Sequence, residues 1–598
     1  MPLTGVMDSR SSVDQEPDGA FAWKQNFEIT PDGKLHQVNG FNRPFWISRS
    51  VDGVACPYKN WDFHNQGDDV LDEDLLPITL LFPSSANDGV RRLFAGTKTR
   101  FMRMDEATGE WTDISTGLGA DGVDNKVSVR IRAAELQDTI VFTNGFDNVK
   151  YHELASDVSQ DVDLTTFGEG GVAITDVECV IQYQGVIMLM NMKEGGVRIA
   201  SRIRWSDLND PTAFDLSVTS SITDYQDLDY GEEILNAAVM LGFLYIFTDK
   251  SIWRCNFSVD SNTNTATLNC QRVYSEPRNR SKCLAYPNTL VSTGADFYYA
   301  GSDAIYHYNP YLPEPERIEW IYKSSGVIFE DERYRIDKKS CKSPIAEYWP
   351  DKREIHFSWP LAEAVTTSNY VATCNDKPDQ TYSSGINRST LVINTQFSTC
   401  DFRDYGMTAM TNFRTDLYAD GSCNQQNIFL GAYSTDFCLK QLGVGYVRET
   451  YNRTTEAWEN KGYTPMLRGM FHFGRFDADK KISKFVIDGQ AENNTSGTVF
   501  SLRIGTSFTV VNPNETVAGC GVVWKQLSDK PVKCLMNKSA SAYASGVPFI
   551  RPNTNTNWDF LYRGRFLYYE ITIKNANGTA ATGGGVTLSR LEVKAIAT

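Results

Sequence analysis

Clustered carboxylates are the residues of this sequence whose type and spacing could do chemistry. Two carboxyl groups that flank a glycosidic bond supply the acid and the base or nucleophile of most glycoside hydrolases. Spacing along a chain does not show that two carboxyl groups converge, so the stretch defines a candidate and not a site. The strongest such stretch comprises Asp224, Asp227, Asp229, Glu232 and Glu233.

Other residue types that carry chemistry form no recognisable site. The six histidines include no His-Glu-x-x-His pair and the twelve cysteines no Cys-x-x-Cys pair, so zinc is not indicated. Phosphate-binding, nucleophile-elbow and dinucleotide-binding glycine motifs are also missing. We therefore predict no enzymatic activity, no metal and no cofactor, with a glycoside hydrolase as the alternative. The cysteines are too dilute for a disulfide scaffold, and we predict that most are buried free thiols.

Charge narrows the choice of partners. A formal net charge of -16 argues against a protein that grips nucleic acid, because neutralising phosphates needs clustered Lys and Arg. A negatively charged wall would instead let a polyanion slide past, although an acidic surface that only keeps the protein soluble is the simpler interpretation. A second acidic cluster, interpreted as a solvated loop, comprises Asp68, Asp69, Asp72, Glu73 and Asp74.

The elements that would position these residues are β-hairpins, and we predict an all-β fold. An apolar run, a polar turn and an aromatic-containing run recur, as in Leu93–Met104 followed by Trp111. The centres of the apolar strands recur roughly every 40–50 residues, which is typical of β-propeller blades. A pair of β-sandwiches is the alternative. The strand centres are Phe94, Phe142, Met188, Tyr245, Tyr298, His356, Ile393 and Phe429.

Changes in composition divide the chain into three predicted parts. Residues 1–85 are irregular and are predicted to form an N-terminal segment that contacts the propeller or an adaptor. Residues 86–455 are predicted to form the β-propeller with insertions, and residues 456–598 a C-terminal β-sandwich-like domain with longer strands. The sequence has no apolar run of membrane-spanning length and no apolar signal-peptide core, so we expect synthesis in a cytoplasm.

One phrase of the sequence suggests a family. The segment Arg202–Phe214, which reads RIRWSDLNDPTAF, resembles a phrase common in tail hub and nozzle proteins of short-tailed bacteriophages. It resembles the packaged-DNA stabilisation (tail hub) family and, more loosely, the tail tubular nozzle proteins. Three other places agree: the N-terminal pieces Pro17–Asn26, Asp32-Gly33 and Gly40–Pro44, the stretch Leu244–Arg254, and the stretch Arg563–Ile571. Residues 360–470 resemble no part of that family.

Turn chemistry gives this phrase a structural interpretation. Asp207 can accept backbone hydrogen bonds in a turn, and Asp210-Pro211 favours turn initiation. Trp205 can fill the gap between two blades. We predict that the phrase supports the fold and binds no ligand, through Arg204, Trp205, Ser206, Asp207, Asp210 and Pro211.

The resemblance implies a structural protein of the virion tail, made in the host cytoplasm. Six copies would form a ring below the head–tail adaptor, and fibres or spikes would attach outside. The lumen would pass double-stranded DNA without sequence-specific binding, and a needle or plug would seal it until infection. We hypothesise that the acidic segments 68–74 and 224–233 line that lumen. A receptor-binding tail adhesin is a further alternative, although such spikes tend to be β-helices with short repeats.

Overall fold

The computed structural model of the protein describes most of the chain between residues 21 and 597. The described residues are 21–30, 34–42, 50–51, 54–55, 77–85, 91–97, 100–104, 111–115, 118, 130–156, 158–162, 174–216, 221–260, 265–276, 281–318, 329, 336–361, 387–417, 423–434, 438–444, 447–452, 457–462, 465–471, 480–491, 498–507, 524–534, 555–564, 566–575 and 585–597.

Short strands at the N-terminus join sheets formed by later parts of the chain. Between the first two of them Asn26 takes φ 57°, a left-handed conformation that Asn tolerates, and the chain passes from one sheet to another. Only the last two strands pair with each other alone. The strands are β1 (Phe21–Gln25), β2 (Phe27–Ile29), β3 (Leu35–Gln37), β4 (Phe41–Asn42), β5 (Ser50–Val51) and β6 (Val54–Ala55).

Five consecutive antiparallel sheets follow, each of four or five strands in chain order. They are blade 1, with β7 (Leu80–Ser85), β8 (Arg91–Gly96), β9 (Phe101–Met104) and β10 (Trp111–Asp113); blade 2, with β11 (Arg132–Leu136), β12 (Thr139–Thr143), β13 (Lys150–Glu153) and β14 (Val158–Asp161); blade 3, with β15 (Ile174–Thr175), β16 (Cys179–Tyr183), β17 (Val186–Glu194), β18 (Val197–Trp205) and β19 (Asp224–Asp227); blade 4, with β20 (Ile234–Met240), β21 (Phe243–Thr248), β22 (Ser251–Asp260) and β23 (Thr265–Ser275); and blade 5, with β24 (Val291–Ser292), β25 (Phe297–Ala300), β26 (Ile305–Tyr308) and β27 (Glu316–Arg317).

Two further sheets complete the set of blades. Short 3₁₀ turns at Asp229–Gly231, Pro287–Thr289 and Lys338–Ser340 precede blades 4, 5 and 6. The N-terminal strand β4 lies inside blade 7, between its third and fourth strands. Blade 6 contains β28 (Ile345–Trp349), β29 (Glu354–Pro360), β30 (Asn387–Asn394) and β31 (Thr399–Arg403), and blade 7 contains β32 (Met407–Leu417), β33 (Cys423–Tyr433), β34 (Leu439–Leu442), β35 (Val447–Asn452) and β36 (Ala457–Gly462).

The seven sheets close into a ring, so the fold is a seven-bladed β-propeller. Inner strands lie side by side in the order β7, β11, β16, β20, β24, β28 and β32, and β32 returns to pack against β7. Each gap between neighbouring blades is filled by buried apolar side chains, including the gap between blades 7 and 1. The cluster between blades 5 and 6 continues into the core of the C-terminal part. Because every blade buries both faces against neighbours, no blade is expected to be stable alone.

The remaining strands build a two-sheet C-terminal part. They are β37 (Met466–Phe471), β38 (Lys480–Ala491), β39 (Thr498–Ser507), β40 (Lys525–Gln526), β41 (Lys530–Pro531), β42 (Lys533–Cys534), β43 (Asn555–Gly564), β44 (Phe566–Asn575) and β45 (Val586–Ala597). One sheet has the order β2-β3-β45-β38-β42, with β43 also on β38. The other runs β28-β29-β30-β31-β1-β37-β44-β39-β40, so blade 6 continues through β1 into the C-terminal part.

The predicted fold class is confirmed: the protein is all-β, with a β-propeller and a C-terminal β-sandwich-like part. The two boundaries between the three predicted parts remain predictions, although strand pairing crosses both. Strand β7 ends at Ser85, before the predicted start of the propeller, and β36 extends blade 7 to Gly462. The N-terminal segment contributes strands to both larger parts.

The described cysteines include one disulfide-bonded pair. Cys255 and Cys270 face each other across β22 and β23 and form a disulfide. Four other described cysteines are buried and form no disulfide, and Cys341 is exposed. Within the described ranges, no helix is long and apolar enough to cross a membrane.

Candidate functional site

The segment Arg202–Phe214 contains Trp205, which packs blade 3 against blade 4. Trp205 ends β18 and is 2% exposed, and its indole packs edge-on against Phe257 of blade 4 with ring centroids 5.6 Å apart. Its Nε1 donates a hydrogen bond to the carbonyl of Ile222 at 2.8 Å. The side chain therefore fills the space between blades and has its polar atom satisfied.

Ser206 and Asp207 hold the turn that follows. The Ser206 amide donates to the Ile187 carbonyl at 2.9 Å, and its hydroxyl accepts from the Ile187 amide at 3.0 Å, which extends the pairing of β17 with β18. Asp207 Oδ1 accepts from the amides of Leu208 at 2.8 Å and Ile222 at 3.1 Å. The carboxylate thus ties the turn to the chain that leads into β19.

Asp210 and Pro211 complete the turn. Asp210 Oδ1 accepts from the amide and the hydroxyl of Thr212, at 3.1 and 3.0 Å. Asn209 takes φ 58° and donates its amide to the Gly185 carbonyl at 2.7 Å. Pro211 is buried. Among these residues every described polar contact is made to the turn itself or to neighbouring strands of blade 3.

Arg204 belongs to an ion-pair cluster on the outer strands of blade 3. Arg204 Nε contacts Glu194 Oε1 at 2.6 Å, and Arg202 Nη1 contacts the other oxygen of Glu194 at 2.5 Å. Arg202 also pairs with both carboxylate oxygens of Asp227, at 2.7 and 2.8 Å. Both guanidinium groups lie over the ring of Tyr225, at 4.3 and 5.2 Å from its centroid.

The predicted acidic stretch is split between the surface and the interior. Asp224 and Asp227 are exposed on β19, the outermost strand of blade 3, and Asp229 is exposed in the turn that follows. Glu233 is exposed directly before β20, the inner strand of blade 4. None of these four carboxylates lines the cavity at the centre of the propeller, where a hydrolase of this fold would need them. The other predicted cluster, Asp68 to Asp74, lies outside the described residues.

Glu232 corrects one part of that prediction, because it presents no charge to solvent. It is 2% exposed, and its Oε2 accepts hydrogen bonds from the hydroxyls of Thr248, at 2.8 Å, and Ser251. Trp253 Nε1 lies 3.3 Å from the same oxygen, and Arg272 Nη1 3.5 Å from Oε1. The carboxylate therefore stabilises the hairpin between β21 and β22 by accepting hydrogen bonds from both of its strands.

Sequence reasoning missed a cavity of about 290 Å³ on the axis, which is lined by the inner strands of six blades and by the turn that precedes the inner strand of blade 5. Arg130, Arg132 and Glu347 are the charged side chains that line it. The polar lining also includes Asn236 and Asn288. Arginine at alternate positions 130 and 132 places both side chains on one face of the chain, which is the one signal in the sequence that could have pointed to them.

Arg130 closes one end of the cavity. It precedes β11, and its guanidinium donates to four main-chain carbonyls, those of Thr79, Lys342, Ser343 and Thr408, at 2.5–2.9 Å. These carbonyls belong to the entries of blades 1, 6 and 7. Burial, together with the nearby charge of Arg132, lowers the pKa of Arg130 to about 9.

Arg132 is held in place by two asparagines. Its terminal nitrogens donate to Asn236 Oδ1 at 3.2 Å, to Asn288 Oδ1 at 3.1 Å and to the Leu235 carbonyl at 3.4 Å. The amide nitrogens of the asparagines are used elsewhere, for the carbonyls of Pro287 at 2.7 Å and Lys342 at 2.6 Å. Both amide oxygens are therefore oriented toward the guanidinium.

Glu347 lies on the blade 6 side of the cavity. Its Oε1 is 3.4 Å from Asn412 Nδ2, the single hydrogen bond of the carboxyl within the described part. Burial raises its pKa to about 8, because a carboxylate loses hydration in the cavity wall. The group is consequently protonated at neutral pH and can donate a hydrogen bond.

A buried ionic cluster fastens the N-terminal strand β1 to blade 6. Arg403 Nε donates to Asp401 Oδ2 at 2.9 Å, and His356 Nε2 lies 3.1 Å from Glu354 Oε2. Lys24 of β1 is 1% exposed, and burial lowers its pKa although Asp401 opposes the change. Burial likewise lowers the pKa of His356. No three His, Cys, Asp or Glu side chains are grouped to hold a metal in the parts of the chain described.

Comparisons with known proteins give distant similarities of fold. No protein-family model matches the sequence, and no curated protein sequence matches it. The chain is similar to the computationally designed Ika8 protein at 10% identity, with 62% of this chain and 96% of that chain covered and a TM-score of 0.32. It is similar to BamB from Moraxella catarrhalis at 9% identity, with 61% of this chain and 82% of that chain covered and a TM-score of 0.30. It is also similar to a chain of the mitotic checkpoint complex at 10% identity, with 61% of this chain and 90% of that chain covered and a TM-score of 0.32. These similarities are too distant to bear on function.

Proposed function

We propose that this chain is a structural subunit of the tail of a short-tailed bacteriophage, a hub or nozzle protein that assembles with copies of itself into a ring of six. The ring would join the head–tail adaptor to the distal tail, hold back the genome and then let it pass. The family resemblance of Arg202–Phe214 is the origin of this proposal, and that segment forms the closing turn of blade 3.

One observation carries the proposal: the ten-stranded sheet that continues from blade 6 through β1 into the C-terminal part. Strand β1 pairs with β31 on one side and with β37 on the other. Domains joined by a loop move relative to each other by default, whereas hydrogen-bonded strands couple them into one body. A wall that carries the pressure of packaged DNA needs such coupling.

The axial cavity supplies a second argument, against a hydrolase. Cleavage of a glycosidic bond needs two carboxyl groups on either side of it. Among the described lining residues only Glu347 carries a carboxyl group, and the other charged residues are the arginines at 130 and 132. The exposed carboxylates of blade 3 lie on its outer edge. The proposal therefore assigns no catalytic role.

In a ring, the outer edge of blade 3 is our candidate for the lumen surface. Asp224 is exposed there and Asp229 in the turn that follows, whereas the charge of Asp227 is offset by Arg202. A surface of this sign repels phosphates and lets DNA slide. Substituting lysine for both Asp224 and Asp229, which form no ion pair within the described residues, should slow genome ejection, and an unchanged ejection rate would remove this edge from the lumen.

The proposal is tested by imaging particles from the source lysate with an antibody raised against the full chain. We expect the label on the tail, below the head, with six copies per particle. Label confined to free protein, or distributed over the capsid shell, contradicts the proposed position.

A further inference from the structure

We propose that the axial cavity of the propeller is a binding site for a small anion, and that Arg132 grips its phosphate or carboxylate group. The site is independent of the proposed structural role, since a ring subunit could have an empty axis.

The first support is uncompensated positive charge. Arg130 and Arg132 are two residues apart on one wall of the cavity, and in the described part of the chain neither forms an ion pair with a carboxylate. Their partners are main-chain carbonyls and amide oxygens. Charges withdrawn from water are normally paired. Two unpaired guanidinium groups in a chain of net charge -16 leave a position for an anion.

The surroundings add to this positive field. Lys342 lies next to Arg130, whose Nε donates to its carbonyl at 2.7 Å. The side chains of Lys342 and Arg198 both contact the carboxylate of Glu178, at 2.8 and 2.9 Å, so this carboxylate is already shared by two cations.

The second support is the hydrogen-bond geometry of the two arginines, because the guanidinium of Arg130 forms shorter and more numerous hydrogen bonds than that of Arg132. Arg130 makes four bonds of 2.5–2.9 Å and is a fixed part of the wall. Arg132 makes three bonds of 3.1–3.4 Å to neutral oxygens. Hydrogen bonds between charged groups are shorter and about twice as strong, so a carboxylate or phosphate would compete well for its donors.

The third support is preorganisation. Asn236 and Asn288 hold Arg132 from one side, and their own orientations are fixed by bonds to main-chain carbonyls. A guanidinium held this way loses little conformational entropy when it binds a ligand. Lysine could not replace it, because an ammonium lacks the planar fork that engages two oxygens.

Size and the far wall define the ligand class. A volume of about 290 Å³ corresponds to roughly ten water molecules. It admits inorganic phosphate or a small di- or tricarboxylate and excludes DNA and protein segments. The protonated carboxyl of Glu347 can donate to such a ligand at neutral pH, whereas above pH 8 it ionises and repels an anion.

The test uses the full chain and two probes, sodium phosphate and sodium citrate, at constant ionic strength set with chloride. Titration calorimetry should give saturable binding of at least one probe, and the probe that binds identifies phosphate or carboxylate as the preferred group. Arg132→Gln should weaken binding at least about 10-fold, the factor for losing one strong charged contact. Arg202→Gln, which removes a guanidinium far from the axis, should bind like wild type.

A pH series separates a bound ligand from non-specific charge. Between pH 7 and pH 8, where Arg130 with its pKa of about 9 stays charged, the wild-type affinity should fall, and Glu347→Gln should show a smaller fall over the same range. The proposal is overturned if neither anion binds the wild type, or if folded Arg132→Gln binds with unchanged affinity. If Arg132→Gln does not fold, the pH series of Glu347→Gln decides. The proposed site is also contradicted if the affinity for the bound probe falls with rising pH by the same factor in Glu347→Gln and in wild type.

Discussion

Replacing Glu347 by glutamine should stabilise the protein, by an amount that grows with pH. The carboxyl lies in the wall of the axial cavity with one hydrogen bond of 3.4 Å, from Asn412. Its pKa is about 8 in the folded protein against 4.5 for an ordinary glutamic acid. Glutamine has the same shape, can donate as the protonated acid does, and never ionises.

The magnitude follows from proton linkage. Below pH 4.5 the acid is protonated in both the folded and the unfolded chain, so it contributes no pH-dependent term. Between pH 4.5 and 8 the unfolded chain releases the proton while the folded chain keeps it, and stability falls with rising pH. A full shift of this size is on the order of 5 kcal/mol, and water in the cavity reduces the expected cost to ~2 kcal/mol.

Guanidinium titrations of wild type and Glu347→Gln at pH 5 and pH 8.5 measure this cost. We expect nearly equal free energies of unfolding at pH 5 and a variant about 2 kcal/mol more stable at pH 8.5. The exposed control Asp229→Asn should change stability by less than about 0.5 kcal/mol at either pH. A difference that is the same at both pH values would refute the reasoning, because it could not come from ionisation of this group.

Substitutions at three further positions test how the propeller is held together. Arg130→Met removes four hydrogen bonds between blade entries and should cost about 3–5 kcal/mol in the free energy of unfolding; a cost below about 1 kcal/mol in denaturant titration would show that Arg130 does not hold the ring closed. Trp205→Ala should cost about 3–5 kcal/mol and Trp205→Phe clearly less, since the ring still fills the gap between blades 3 and 4; equal thermal destabilisation of both variants contradicts a packing role. Asp227→Asn breaks a partly exposed pair with Arg202 and should change stability by less than about 1 kcal/mol; a larger loss would make this pair a structural element.

The repeat of apolar strands could be predicted because of where those strands lie. The second strand of each blade is sandwiched between two neighbouring blades, so both of its faces are buried and its sequence is a continuous apolar run, as in β12 and β29. Seven of the eight predicted centres lie on second strands. The exception, Ile393, lies on β30, the third strand of blade 6. Residues 362–386 separate β29 from β30 in the sequence. Because of this long separation, blade 6 contributed two of the predicted strand centres, His356 and Ile393.

Sheet partners that are distant in sequence could not be predicted. Asn26 contacts Asp404 across 378 positions, and β4 enters blade 7 between strands that follow it by about four hundred residues. Short strands such as β4, with two residues, carry no periodicity of their own. The N-terminal segment, residues 1–85, was therefore predicted to be irregular, although its strands join four sheets that later residues complete.

The axial site was hidden for a related reason. Arg130, Arg132 and Glu347 are ordinary charged residues in the sequence, and only closure of the ring brings them to one cavity. The acidic stretch after residue 223 was recognisable as a cluster, but the position of β19 at the outer edge of its blade depends on strand order. The sequence therefore showed which residues carry charge, but their positions in the structure depend on the order of the strands in each blade.

The proposed structural role in the virion is tested most directly by density-gradient sedimentation of the source lysate, with quantitative mass spectrometry of each band. We predict that the chain sediments with portal and capsid proteins at a constant ratio of six copies per particle. If the chain stays at the top of the gradient, free of capsid proteins, the proposed tail role is wrong.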